Sequence, residues 1–279
     1  MITFPCCKIN LGLNVVERRS DGYHNIETVF YPIPLCDALE IKLMSNDFPS
    51  DVDCDLKITG NAVEGNEQDN LVVKAYNLIK KDFAIPRIHT HLFKQIPSQA
   101  GLGGGSSDAA FMIRLLDERF RLNMGIAEME RYASMIGADC PFFITSEPSF
   151  ATGIGNIFSP AGFLSEKLSG CYIAIVKINV SVSTSAAYKK IVPHHPAKSC
   201  KDVIAQPIET WRNNLYNDFE IPAFEEFPAL EQIKNKLYEQ GAIYAQMSGS
   251  GSAMFGIFKE KPQNLATEFP SAFLYSCQC

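Results

Sequence analysis

Four glycines fall within five residues of this chain. Residues 100–107 read Ala-Gly-Leu-Gly-Gly-Gly-Ser-Ser, with glycine at 101, 103, 104 and 105. A backbone without side chains can take positive φ and turn successive N–H groups toward one anion. Apolar residues at 109, 112, 113 and 116 follow on one stripe. The loop therefore leads into a helix, whose N-terminus adds unpaired donors and roughly half a positive charge. The chemistry on offer is phosphate binding, with Gly103 and Gly104 expected to use positive φ or the absence of a side chain. Two better-known phosphate loops are excluded. No Gly-Lys dipeptide occurs, so G-x-x-x-x-G-K-[ST] fails, and Ser106 stands where G-x-G-x-x-G needs its third glycine. A plain hinge or tight turn would need fewer glycines.

Four further groupings carry reactive or small residues. Lys8 and Asn10 are two apart and project from one side of a strand. Gly137-Ala-Asp139-Cys-Pro141 puts a carboxylate just past a helix end and, as read here, before a strand. Asp21-Gly-Tyr23-His24 is a turn carrying two rings. Met247-Ser-Gly-Ser-Gly-Ser-Ala is a run of small residues between two strands. Taken singly, each has a plain structural reading: an exposed polar face, a turn residue, turn chemistry, close backbone packing.

The elements that must position these groups are legible in outline. Ile9, Leu11, Leu13 and Val15 alternate with Lys8, Asn10, Gly12 and Asn14, which predicts a first strand with a core face and a wetter face. Strands are expected near 26–33, 39–44, 54–59, 87–94, 171–178, 242–247 and 253–258. Helices are expected after a cap at Asp69 or Asn70, and at 126–136 (stopped by Gly137), 185–191 and 229–240, with a final helix–strand pair over 263–276. Strands and helices without strict alternation predict an α+β fold. A glycine- and proline-rich stretch at 151–169 marks the softest boundary, giving domains 1–155 and 156–279.

Composition narrows the classes. With 279 residues and 46% hydrophobic content, the chain suits one large or two ordinary domains and excludes disorder. Its net charge of −6 gives no basic stripe for nucleic acid or an anionic membrane. Nine scattered cysteines without a C-x-x-C pair read as free thiols of a reducing cytosol rather than a zinc site. No signal segment or membrane-length apolar run is present, so a cytoplasmic protein is expected.

In order along one chain, Lys8-x-Asn10, the loop from Pro97 to Ala110, Gly137-Ala-Asp139 and Gly249-Ser-Gly251 resemble the GHMP kinase superfamily. Lys8-Ile-Asn-Leu-Gly-Leu13, Asp21-Gly-Tyr-His24, Gly101–Ala110 and Gly137-Ala-Asp-Cys-Pro-Phe-Phe143 resemble, within it, the branch acting on a cytidine diphosphate-linked methylerythritol. The resemblance spans essentially the whole chain. It implies an α+β, two-domain architecture, with a mixed α/β N-terminal ATP-binding domain and a ferredoxin-like C-terminal domain. It also implies transfer of the γ-phosphate of ATP, with Mg²⁺ expected alongside, to the 2-hydroxyl of that substrate in the non-mevalonate isoprenoid pathway. The partners are small molecules, and the chain is expected to be a monomer or weak homodimer.

The resemblance assigns roles residue by residue. Asp139 would take the hydroxyl proton and Lys8 would sit against it, with Asn10 orienting the pair or the substrate. Tyr23, His24, Thr184 and Tyr188 would hold the cytosine end, with Tyr23 and Tyr188 as the sandwich. Pro97, Ser98, Gln99, Ala100, Gly101, Leu102, Gly103, Gly104, Gly105, Ser106 and Ser107 would cradle the nucleotide, and Lys94 and Asn70 would line its adenine pocket. Ligands for the metal stay unassigned. The polar opening Pro97-Ser98-Gln99 departs from the pattern, and residues 199–211 correspond to no part of it. Two alternatives are another small-molecule kinase of the superfamily, homoserine or mevalonate class, and a non-catalytic nucleotide-binding regulator. The first has no use for the aromatic clamp, and the second would not need Lys8 and Asp139.

Overall fold

A computed structural model describes residues 1–45, 47–63 and 65–279. The chain forms two compact units that interleave along the sequence instead of following one another. Unit one comprises Met1–Cys7, Pro34–Ser98 and Gly103–Ser146, and unit two comprises Lys8–Ile33, Gln99–Leu102 and Glu147–Cys279. The second unit thus takes in residues 8–33 from the first strands, beside the expected division at 155/156.

Unit one carries a four-stranded sheet in the order Ile2–Thr3, Ala38–Leu43, Ile88–Lys94, Cys54–Gly60. Cys54–Gly60 joins Ile88–Lys94 in parallel, and the other pairs are antiparallel, from Ala38 opposite Phe93 to Leu43 opposite Ile88. The helix Leu71–Asp82 starts where the Asn70 side chain accepts the Val72 N–H at 2.9 Å, the expected N-cap. It buries Val72, Ala75, Tyr76 and Ile79 on one stripe. The helix Gly104–Phe120 packs beside it and buries Met112, Ile113 and Leu116.

Unit two has two sheets. One runs Cys6–Arg18, His24–Cys36, Ser149–Thr152, Ile157–Pro160. The other runs Tyr244–Met247, Met254–Phe258, Tyr172–Lys177, Phe273–Gln278, antiparallel throughout. The helix Pro228–Glu239 lays Leu230, Ile233 and Leu237 into the core formed with Val176, Met247, Met254 and Phe258. That spacing of three and four is the amphipathic stripe read from the sequence. Among the described residues no helix is long and apolar enough to cross a membrane.

Three local expectations need correction. The supposedly wet face of the first strand is buried: Lys8, Asn10 and Asn14 have almost no exposure. Asp139 precedes the short helix Phe142–Thr145, not a strand. The helix before it ends at Ser134 with Met135 as its cap in right-handed geometry, so Gly137 supplies no left-handed stop.

Candidate active site

Lys8 emerges on the long strand Cys6–Arg18, where Lys8, Asn10 and Asn14 alternate with core residues and each finds a partner. Its ammonium donates to Asn10 Oδ1 at 2.6 Å and to the Gly101 carbonyl at 3.0 Å, and lies 4.9 Å from the centre of the Phe30 ring. Asn10 in turn donates to the Thr28 hydroxyl at 2.9 Å, which donates to the Gly12 carbonyl at 2.6 Å. Ser248 accepts the Asn10 N–H at 3.3 Å and donates to Gly101 O at 2.9 Å. A buried polar group is tolerated only when hydrogen-bonded, and this relay meets that demand over more than 200 positions of sequence.

The first half of the glycine loop is sewn into the same unit. Leu102 O accepts the Lys8 N–H at 2.9 Å and Ala100 O accepts the Ala253 N–H at 3.0 Å. Gly101 has φ +74°, and a Cβ there would lie 1.9 Å from Ser248 O, so only glycine fits. The small-residue run 247–253 owes its composition to this close approach. It is pinned from behind by the Asn217 amide, which donates to both Met247 O and Gly249 O at 2.8 Å.

The second half of the loop belongs to unit one. Gly103, at φ +72°, caps the loop helix without any side-chain hydrogen bond, leaving the helix start to other acceptors. Gly104 is helical and needs space instead of an unusual φ: its Cβ would lie 2.9 Å from Ile96 Cγ2 and 3.4 Å from the Lys94 ammonium. Asn70, Leu71 and Gly105 line a cavity of about 220 Å³ with Ile58, Val63 and Asn66. This sets Asn70 beside the loop. Lys94 does not line this cavity; its buried ammonium, against Gly104, is held by Asp37 and Asp108.

Asp139 is half-buried in the turn between the helices Ile126–Ser134 and Phe142–Thr145. Its neighbour Cys140 links this turn to the loop helix, because the thiol hydrogen-bonds the Ser106 side chain. Burial pushes that thiol up to about 12, with the Asp139 charge adding to the effect. The thiol is therefore neutral and structural. Lys8 and Asp139 lie in different units.

The aromatic groups of unit two gather round a cavity of about 720 Å³ lined by Arg18, Tyr23, His24, Ile154, Thr184, Tyr188 and Lys189 among others. The His24 and Tyr188 rings stack at 4.9 Å and 16°, and Phe219 meets Tyr188 edge-on at 4.8 Å. Tyr23 stands 61% exposed, so the ring facing Tyr188 here is His24. Burial, aided by the Arg18 charge, holds the imidazole below its ordinary pKa; it is neutral at pH 7 and keeps one acceptor nitrogen. Thr184 Oγ1 pairs with Ser250 Oγ at 2.8 Å. Pro97, Ser98 and Gln99 lead into the loop, with Gln99 at φ +50°.

Several contributors escaped the sequence reading. Arg18, Ile154 and Lys189 had no spacing signal. Ser248 lay inside a run already singled out, and Cys140 sat beside Asp139. Asp37 and Asp108 reveal themselves only through their contact with Lys94.

A glycine cradle at a bare helix start, beside a mixed sheet, is the apparatus of a phosphate-transferring fold. Residues 70–147 match the family described as GHMP kinases N terminal domain, and residues 201–275 match GHMP kinases C terminal. The chain belongs to the GHMP kinases, and it is a kinase of ATP-using type. A 4-diphosphocytidyl-2-C-methyl-D-erythritol kinase of Bacteroides fragilis is 49% identical over 278 residues, covering 100% of this chain and 99% of its own. The protein of the same name from Bacteroides thetaiotaomicron is 52% identical over 259 residues, 93% of this chain and 92% of its own. The crystal structure of a 4-(cytidine 5'-diphospho)-2C-methyl-D-erythritol kinase superposes with a TM-score of 0.79 at 27% identity, covering 99% and 98% of the two chains.

Proposed function

We propose that this kinase moves the γ-phosphate of ATP onto the 2-hydroxyl of 4-diphosphocytidyl-2-C-methyl-D-erythritol, an early intermediate of isoprenoid precursor synthesis. The observation that carries the substrate class is the cavity around His24 and Tyr188. Its stacked rings suit a pyrimidine face, and a neutral imidazole suits the donor and acceptor edge of a base. A homoserine or mevalonate kinase has no planar group to place there. The relatives that match over the full length carry this substrate in their names.

Phosphoryl transfer asks a protein for positioning and charge stabilisation more than for covalent help. Loop amides at 103–105 and the helix start would cradle the β- and γ-phosphates, with Mg²⁺ arriving as part of the ATP complex. Lys8, held by Asn10 and the Gly101 carbonyl, would present its charge at the transferring group. Asp139 would accept the hydroxyl proton as the bond to phosphorus forms. Tyr23 would close over the exposed side of the base. Nine cysteines without a disulfide among the described residues suit a reducing, cytoplasmic setting.

The deciding assay is ADP release with the cytidylylated substrate beside homoserine and mevalonate. Turnover of the cytidylylated substrate alone is expected. Preference for either of the others would replace this reading.

A further inference from the structure

Beneath the glycine loop lies a cluster of charges for which phosphate transfer has no direct use. Lys94 ends the strand that feeds the loop. Its ammonium is held by Asp37 and, at 2.6 Å, by Asp108 on the helix that leaves the loop. None of the three side chains is more than 5% exposed. Asp37 also accepts the N–H groups of Gln95 at 2.6 Å and Ile96 at 2.8 Å, the first residues after the strand. Ile96 packs where a side chain on Gly104 would have to go. The two ends of the loop are thus tied together through one buried ammonium.

The charges in this clasp do not balance. One ammonium and two carboxylates leave a net −1, and an uncompensated buried charge is expensive. Both Asp37 oxygens are engaged, whereas Asp108 Oδ1 is buried without a hydrogen-bond partner. Asp108 is therefore where a proton would settle. Burial raises its pKa to about 7, Lys94 opposing and Asp37 reinforcing the shift. For Lys94, burial works against the charge, but Asp108 and Asp37 outweigh it and keep the ammonium protonated. From the elements packed on the loop helix, Lys94 and Asp37 are the charged groups that act on Asp108 among the described residues.

We propose that Asp37, Lys94 and Asp108 are positioning residues for the nucleotide: a buried clasp that fixes the loop ends and takes a solvent proton onto Asp108 as the triphosphate settles above it. The inference rests on the loop being the nucleotide cradle. An arriving polyanion disfavours a nearby carboxylate, and by linkage what strengthens proton binding makes nucleotide binding weaken as pH rises.

Calorimetric titration of Mg²⁺-ATP into the full chain, without acceptor, in buffers of different ionisation enthalpy counts the protons taken up. ATP's own protons are common to every variant, so differences between variants report the clasp. At pH 7 wild type should take up as much as about half a proton more than Asp108→Asn, because the free carboxyl is then about half protonated. ATP affinity should fall between pH 7 and 9 in wild type and stay flat in Asp108→Asn. Asp37→Asn gives a second test that keeps an acceptor for Gln95 and Ile96. It leaves a neutral Lys94–Asp108 pair and should also lose the uptake. Equal proton counts in wild type and either folded variant, with ATP still bound, overturn the clasp. Undiminished ATP binding by Gly104→Val would instead remove the loop from the nucleotide site, and the premise with it.

Discussion

The glycine loop and the aromatic pocket are built by opposite means. The loop has no slack. Its first half gives up three carbonyls to buried donors, its second half rests on buried ions, and Gly101 and Gly104 have no room for a Cβ. The pocket is open and lined by rings, with Tyr23 mostly in solvent and His24 leaning on Tyr188. The contrast follows from what each must do. Charge stabilisation of a transferring phosphoryl group depends on donors fixed in advance, so rigidity there is itself catalytic. Recognition of a planar base needs flat surfaces that can part, and separating one ring pair costs only on the order of 1 kcal/mol.

The comparison can be tested by perturbing each side. The largest effect is expected on the rigid side. Asp139→Asn should lower turnover by ~10²–10⁴ while ATP still binds, read from steady-state rates and a separate ATP titration. Lys8→Ala should do likewise, and the double variant should lose far less than the product of the two, because the pair would act as a unit. Additive losses would show that Lys8 and Asp139 work separately.

Next comes Gly104→Val, whose side chain must displace Ile96 or the Lys94 ammonium. A cost of at least ~1.4 kcal/mol would raise the ATP dissociation constant about tenfold, with circular dichroism to verify the fold. On the soft side, Tyr188→Ala removes the stacking face. It should raise KM for the cytidine substrate by about 2- to 12-fold, matching ~0.5–1.5 kcal/mol, and leave KM for ATP alone. Equal changes in both would make Tyr188 a support of the fold, through Phe219, instead of a base contact.

The smallest effect is on stability. Asp108 binds its proton more tightly folded, near pH 7, than unfolded, near its ordinary 3.8. Its favourable contribution is therefore complete below pH 3.8 and is lost as pH rises through 7. The melting temperature of Asp108→Asn should gain on that of wild type between pH 5 and 8, by on the order of a few degrees. A constant gap across that range would mean the carboxyl does not titrate there.

Local pattern revealed the loop, the first strand and most helices, because glycine density and periodicity are local. It misjudged what depends on distant partners. Alternation at 8–15 reports two faces correctly, but its polar face is buried, since Gly101, Thr28 and Asp218, which satisfy Lys8, Asn10 and Asn14, lie further along the chain. Asp37, at a strand end, carries no sequence signal, and Asp108 lies inside the Pro97–Ala110 run with nothing to set it apart until Lys94 joins them. Phe142–Thr145 is a helix where the sequence suggests a strand, because a short apolar run has no period to read. In 199–211 the local signal is a cap: Ser199 and Asp202 form a capping box that opens the helix Cys200–Ala205. The family pattern pointed to Asn70, which lines a cavity with Gly105, and to the aromatic groups, which line another. It did not show that His24, and not Tyr23, would rest on Tyr188.

Asn217 bears on how the gene can change. Its amide nitrogen faces two carbonyl oxygens, Met247 O and Gly249 O, and its own oxygen takes the Phe219 N–H at 2.9 Å. Codons for asparagine and aspartate differ by one base, so the replacement arises constantly by mutation. The side chains are nearly the same size, yet the carboxylate would turn an acceptor toward two acceptors, in a place almost closed to solvent. A substitution that scores as mild in any exchange matrix is thus among the least tolerable here, and purifying selection at that codon would be acting on the direction of a hydrogen bond.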